Sequence, residues 1–573
     1  MRKHTTALHG MVPQWRDYVD DTVAIAFGDH TLTRGGGRFS EFKREDSPWI
    51  VLYQGFFIYD LHDAEHDITT DQAHLQALLK RYGWDFWKRL RGEYVLLVYH
   101  TEERVMRLYR DSSGAYTLFY YTDILGNFIV SSELRALTEH PLVQTSLDPQ
   151  AVSLAMLLGY IPSTRTMIDD VVKVAVGSIV TFDCKKRELS RTPMEFSLYG
   201  GEDYTSYQPL IASQVTQRRD LGLVLDGSFE AALLLEHLSR DRKDLITYSI
   251  RYERGDPHGE TIANDGERLS KHYGTHHEEI YITADEYRLA LPRALEIVQE
   301  PFHFYHTVDA LFIMERAHAC GTRNLMLPGA GDALTGSALD SKQSLLCRFA
   351  TMLSPTLRNA LLVLHTGREY DFTVQCDRWF YRTSETTPYA APAIPYKKIS
   401  DELREQVSAL TPLYSELDVL LPLIRDSHCI ERVLIQAPLL SSVYARLSQA
   451  LGMVTWAPCA ERCVRGILDS YRRTHDRYYY QLPNTLGGIP DWYHTYTRNE
   501  LQQGINKPPL LYWYDKKWRD TYLSLLGSKR TSDVVAWARV RSIIEARGDL
   551  YPGDKIAIYL SLAALMHRYS VAT

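Results

Sequence analysis

The sequence predicts two domains of different class. The first is an α+β domain with mostly antiparallel strands over residues 1–200. The second, over 210–573, is an α/β domain with an open parallel sheet and a mainly helical extension beyond about residue 340. Three observations predict this. The chain has 573 residues, too many for a single hydrophobic core. Short β-like runs crowd its first third, with little helix between them. From residue 221 the pattern becomes apolar strand, helix, apolar strand, which is βαβ logic.

In the first domain, "WIVLYQGFFIYD" (49–60), "EYVLLVYH" (93–100), "VMRLYRD" (105–111), "YTLFYYTD" (116–123) and "FIVSS" (128–132) read as strands bounded by turn residues. "TDQAHLQALLKRYGWDFWKRL" (70–90) reads as the one helix among them. "SLDPQAVSLAMLLGYI" (146–161) is a capped helix with Asp148 before Pro149, and "GSIVTFD" (177–183) is a further strand. The polar stretch 197–209, "SLYGGEDYTSYQP", is the candidate linker.

In the second domain "LGLVLD" leads into "FEAALLLEHLSR", and "LITYSIRY" (245–252) into "ETIANDGERLSKHYG" (260–274). "HEEIYIT" (277–283) leads into "ADEYRLALPRALEIVQE", and the helix "VDALFIMERAHACG" precedes the strand "NLMLPG" (324–329). Ligands of such sheets sit beyond the carboxyl ends of the strands. Two loops there combine glycine with charge: 226–230, with Asp226, Gly227, Ser228 and Glu230, and 327–337, with Gly329, Gly331 and Asp332. A loop entering a helix offers N–H groups and a favourable dipole to phosphate, and an acid such as Asp332 suits a magnesium ion that bridges phosphates. A Gly-Ser turn is also ordinary in any α/β fold, and the dinucleotide and P-loop fingerprints are absent.

The composition narrows the function. Net charge is −7, which leaves no basic footprint for nucleic acid. No apolar run reaches membrane-spanning length and no signal-peptide core is seen, so neither a membrane partner nor secretion is expected. The seven cysteines are scattered, and only Cys459 and Cys463 stand at helical spacing. A reducing, cytoplasmic setting is expected and a zinc site is not.

The order of segments resembles the asparagine synthetase superfamily. "LRGEYVLLVYHTEERVMRLYRDSSGAYTLFYY", "IVSSELRALTEHPLV" and "LDPQAVSLAMLLGYIPSTRTMIDDVVKVAVGSIVTFD" are similar, in sequence order, to segments of its first domain. "ERLSKHYGTHHEEIYIT" and "VQEPFHFYHTVDALFIMERAHACGTRNLMLPGAGDALTGS" are similar to segments of its second. The resemblance implies an Ntn-hydrolase-like sandwich followed by an adenine-nucleotide alpha-hydrolase-like (PP-loop) domain. It further implies ATP and Mg2+ as cofactors, with Leu225, Asp226, Gly227, Ser228, Ser249, Gly329 and Gly331 at the nucleotide, Glu230 and Asp332 at the metal, and Lys507 as the catalytic lysine of a basic loop. On the residues alone, Lys507 is equally a surface lysine.

Against this pattern the chain departs in two places. Glutamine-using members carry a catalytic cysteine after the initiator methionine; here Arg2 follows Met1 and the first cysteine is Cys184, so glutaminase activity is not expected. The family's S-G-G-x-D-S loop reads Asp226-Gly227-Ser228-Phe229-Glu230-Ala231. Glu230 keeps a carboxylate, but Asp226 brings charge where pyrophosphate sits, and two hydroxyl donors are gone. Three readings stay open: an active ligase with Asp226 recruited to a metal, a weak ligase, or a pseudoenzyme that binds or scaffolds. Within an active reading the expectation is an amide-forming ligase, with intramolecular closure of a peptide, as in lasso-peptide macrolactam synthetases, set beside asparagine- or β-lactam-forming activity. The expected partners are a peptide or a small carboxylate and amine substrate, with a precursor peptide and a biosynthetic protease. Tyr- and Trp-rich stretches at 476–496 and 510–518 fit a peptide groove or core packing equally well.

Overall fold

The computed structural model describes residues 14–16, 23–27, 40–43, 47–58, 71–111, 113–148, 151–152, 155, 161, 164–194, 208–215, 218–253, 257–301, 306–328, 437–458, 489–490, 492 and 561–566. The first domain contains β1 (Gln14–Arg16), β2 (Val23–Phe27), β3 (Ser40–Lys43), β4 (Trp49–Ile58), α1 (Asp71–Tyr82), β5 (Arg91–His100), β6 (Val105–Arg110), β7 (Phe119–Thr122), β8 (Phe128–Ser131), α2 (Leu134–Thr138), β9 (Val171–Lys173), β10 (Ser178–Asp183) and β11 (Glu188–Pro193). These form a six-stranded sheet ordered β11-β10-β6-β5-β4-β3 and a five-stranded sheet ordered β1-β2-β8-β7-β9. All pairs are antiparallel except β2 with β8.

Alternation along the strands explains the layers. One face of the six-stranded sheet, with Ile50, Leu52, Val95, Leu97 and Leu108, packs on Leu118, Tyr120, Phe128 and Val130 of the other sheet. Its opposite face, with Val51, Tyr53, Leu96 and Val98, is covered by Leu75, Leu78 and Leu79 of α1 and by Phe86 and Trp87. Two boundaries differ from expectation. The helix expected over 70–90 stops at Tyr82, because Gly83 turns to φ +53 and residues Gly83–Arg89 continue as a 3-10 turn. The strand expected over 116–123 is confined to Phe119–Thr122; just before it, the Thr117 hydroxyl accepts from Arg110.

The second domain contains α3 (Gln208–Val215), β12 (Leu221–Val224), α4 (Phe229–Leu238), β13 (Ile246–Tyr252), α5 (Pro257–Tyr273), β14 (His276–Ile282), α6 (Ala284–Val298), α7 (His306–Ala319), β15 (Asn324–Met326), α8 (Ala437–Ala450) and β16 (Val454–Trp456). Its sheet is ordered β14-β13-β12-β15-β16 and is parallel throughout. Chain order departs from β12 in both directions, so the switch point lies between β12 and β15. Helix α4 is apolar on nearly every side, with Leu233, Leu234 and Leu235 fully buried, as a helix enclosed by other elements must be. Gly222 in the central strand is a packing glycine: a Cβ there would lie 2.8 Å from the Tyr248 ring and 2.9 Å from Leu325. No helix among the described residues is long and apolar enough to cross a membrane.

The two domains share a core. One apolar cluster joins Phe119, Tyr121, Leu134 and Leu137 to Tyr287, Leu291, Val308 and Leu447. A second contact sets Phe56 edge-to-face against Trp456, with the Arg218 guanidinium over both rings at 4.4 and 4.8 Å. Polar bonds cross as well: Ala457 N–H donates to the Glu93 carboxylate, Arg135 N–H donates to Gln299 Oε1, and the Thr117 and Ser442 hydroxyls bond to each other.

Candidate functional site

The site begins where β12 ends. Leu223 pairs with Met326 of β15 and Val224 with Tyr248 of β13. The register therefore brings residues 225–228 and 327–328 out at one edge of the sheet, beside the switch point. Leu225 N–H still donates to the Tyr248 carbonyl at 2.7 Å, and Leu327 N–H to the Trp456 carbonyl at 2.9 Å. Both expected loops thus leave from the same sheet edge. Gly329, Gly331 and Asp332 follow β15 directly, and Lys507 lies far downstream; all four fall outside the described residues.

Residues 226–228 turn the chain into α4. Gly227 takes φ +83, a conformation an L side chain rarely adopts. Ser228 is the N-cap: its Oγ accepts from Ala231 N–H at 3.2 Å. Asp226 is exposed, and its Oδ1 accepts from Ser228 N–H at 3.0 Å. Two N–H groups at the head of α4 are therefore bonded to the loop's own side chains. Glu230, in the first turn of α4, is buried at 2% exposure.

Leu225 and Ser249 are also buried, at 2% and 1%. The Ser249 hydroxyl is bonded to His277 Nε2 at 3.0 Å, and His277 Nδ1 to the Thr247 hydroxyl at 2.9 Å. Burial lowers the His277 pKa below the ordinary histidine value, and a neutral ring with one donor and one acceptor suits two hydroxyls. Gly266 of α5 faces the same wall: a Cβ there would stand in ordinary contact, 3.4 Å from Ser249 Cβ and 3.6 Å from both His277 Cε1 and Leu225 Cβ. Reasoning from sequence missed His277. The signal was "HHEEIYI", where alternation puts every second residue of β14 on one face.

Tyr444 of α8 feels the charge of the loop. Burial pushes its phenol well above the ordinary range, and the negative charges of Asp309 and Asp226 push the same way. Asp309 is buried in the first turn of α7. Neither Tyr444 nor Asp309 carries a motif in the sequence. Among the described residues no group of three or more His, Cys, Asp or Glu side chains is placed to hold a metal.

Two family models match the chain in sequence order. Residues 59–192 match the glutamine amidotransferase domain and residues 211–429 match asparagine synthase. That ordered pair places the chain in the asparagine synthetase superfamily. Among similar proteins is "Putative asparagine synthetase (glutamine-hydrolyzing) 2" of Methanocaldococcus jannaschii, 22% identical over 329 residues, covering 52% of this chain and 60% of that protein. Proteins named "Putative asparagine synthetase (glutamine-hydrolyzing)" in Mycobacterium bovis and Mycobacterium tuberculosis are 22% identical over 341 residues, covering 55% of this chain and 51% of theirs. The chain thus spans about half to three fifths of the length of these relatives.

Proposed function

We propose that the protein is an ATP-dependent ligase that forms an amide bond through an acyl-adenylate. The observation that carries this reading is the strand–loop–helix unit at 221–238, set at the switch point of a parallel sheet within a stretch matching asparagine synthase. Bound ATP would supply the adenylyl group that activates a carboxylate. The chain's own part is positional. The head of α4 and its dipole would receive phosphate oxygens, while Leu225, Ser249 and Gly266 would wall the base. Mg2+ would draw on carboxylates near the loop, Glu230 and Asp332 being the candidates.

The fit to a nucleotide is incomplete as the loop stands, because Asp226 and Ser228 hold two of its N–H groups. That observation favours a second reading, in which the site is degraded and the protein serves as a binding or scaffold protein. Within the ligase reading, the finer proposal is intramolecular closure of a peptide without glutaminase activity, the amine coming from the substrate itself at high effective concentration. Precursor peptide and protease partners belong to this finer proposal.

The test is calorimetric titration with a non-hydrolysable ATP analogue and Mg2+, followed by assay of AMP and pyrophosphate release across carboxylate-bearing peptides. The ligase reading expects nucleotide binding, then substrate-dependent AMP formation. Absence of binding at millimolar nucleotide leaves the scaffold reading.

A further inference from the structure

We infer that the joint between the two domains binds one small inorganic anion such as chloride, held by Arg110, Lys173 and Arg446. The inference does not depend on the reading of the loop at 226–230.

The reason is charge balance in a place that water scarcely reaches. Arg110 ends β6, Lys173 ends β9 and Arg446 lies in α8, and all three side chains are buried. Glu300 takes Lys173 on one carboxylate oxygen at 2.8 Å and Arg446 on the other at 3.1 Å. Both of its oxygens are thereby engaged. Arg110 makes no ion pair among the described residues. Its terminal nitrogens donate to neutral oxygens: the Val174 carbonyl at 2.9 Å, the Gly114 carbonyl at 2.7 Å and the Thr117 hydroxyl at 3.0 Å. Its Nε–H is buried and meets no acceptor among the described residues. The other carboxylate nearby, Asp111, accepts from Tyr94 N–H and Ser113 N–H. On the flanking elements, Glu133 receives Gln299 and Glu296 receives Arg135. At the centre of the joint, three cations thus stand against two carboxylates, Glu300 and Asp111.

A net charge enclosed in protein is costly unless a counter-charge joins it, and so is a buried N–H without an acceptor. One monovalent anion meets both needs, balancing the excess positive charge and accepting from Arg110 Nε–H. A small ion suits the enclosure, because the Arg446 guanidinium lies over the ring of fully buried Phe119 at 5.2 Å. The competing remedy is a neutral Lys173 amine. Burial pulls the lysine's pKa down, and repulsion by Arg110 and Arg446 works the same way against the pull of Glu300. A neutral amine needs no ion, so the two remedies predict different responses to anions.

The experiment follows thermal unfolding of the full chain in potassium chloride and in potassium gluconate at equal ionic strength and neutral pH. Gluconate is too large for the enclosure and serves as the reference. Arg110→Gln and Lys173→Met each remove one cation and so leave the charges balanced. The expected result is a midpoint about 2 °C higher in chloride for the unaltered chain, with no difference between the salts in either variant. Line width of the chloride NMR resonance is a second measurement, independent of stability. The folded unaltered chain is expected to broaden it, and Lys173→Met is not. If Arg110→Gln does not fold, Lys173→Met carries both comparisons. Equal midpoints in the two salts, without broadening, overturn the inference and leave the neutral lysine. A chloride preference that persists in the variants puts the ion elsewhere and overturns it too.

Discussion

Two carboxylates, one at the joint between the domains and one at the loop, are used in opposite ways. At the joint, Glu300 receives Lys173 of the first domain at 2.8 Å and Arg446 of α8 at 3.1 Å. The Arg446 guanidinium also donates to the Val298 carbonyl. Burial works to raise the Glu300 carboxyl, but Lys173 and Arg446 prevail and hold it below the ordinary carboxylate range. Nearby Arg110, whose pKa burial pulls down to about 10, donates to the Val174 and Gly114 carbonyls and to Thr117. Every donor here is a permanent part of the chain, and water is largely shut out. At the loop, Asp226 is exposed and held by a backbone N–H that a ligand would also seek. A buried acid with two cations fixes a joint; an exposed acid at a helix head shapes a loop that water still reaches.

The largest effect is expected from breaking the joint. Glu300→Ala leaves two buried cations without their carboxylate and should lower unfolding stability by about 3–5 kcal/mol, read by urea denaturation. An effect below about 1 kcal/mol would show that the joint is not the fastening described.

Asp111 sharpens the same side of the comparison. It is buried and accepts N–H bonds from Tyr94 and Ser113, yet burial raises its pKa from 3.8 to about 6. A raised folded pKa means that the folded state holds its proton more tightly. The stabilising contribution is complete below about pH 4 and is lost as pH rises through 6, a change on the order of 3 kcal/mol. Asp111→Asn does not titrate, so the difference in stability between the two proteins should move with pH between 4 and 6 and level off above. A constant difference across that range would contradict the assignment.

At the loop the expected effects are smaller. Ser228→Ala removes the cap on Ala231 N–H and should cost about 1 kcal/mol, measured by thermal unfolding, with the domain joint unaffected. A loss as large as that of Glu300→Ala would mean that the loop is structural after all. Of the same order is the expected stability change in Ser249→Ala. It leaves His277 its bond to Thr247 and removes one hydroxyl partner, about 0.5–1.5 kcal/mol, by the same measurement.

This contrast also explains how much the sequence disclosed. The parallel sheet and its order of helices followed from apolar periodicity, and the loop from a Gly-Ser turn after a buried strand. Both signals are local. The joint was not legible, since Lys173 and Glu300 are 127 residues apart and Arg446 lies 146 residues beyond Glu300; no spacing rule connects them. Short strands such as β9 and β11 were missed for a related reason. β11 is almost wholly exposed, so it lacks the apolar alternation that marks a strand and exists because β10 pairs with it. At the loop, the sequence posed the difficulty of Asp226 correctly but could not show that its carboxylate turns back onto Ser228 N–H.

The central claim is that residues 225–230 form a nucleotide site. Its most direct test is calorimetric titration of the full chain with a non-hydrolysable ATP analogue in Mg2+, repeated with Gly227→Val, whose branched side chain is incompatible with the φ of +83 at that position. The account predicts binding by the unaltered chain and at least tenfold weaker binding by the variant, with the variant still folded. Equal affinity in the two proteins, or no heat at millimolar nucleotide from either, would contradict it.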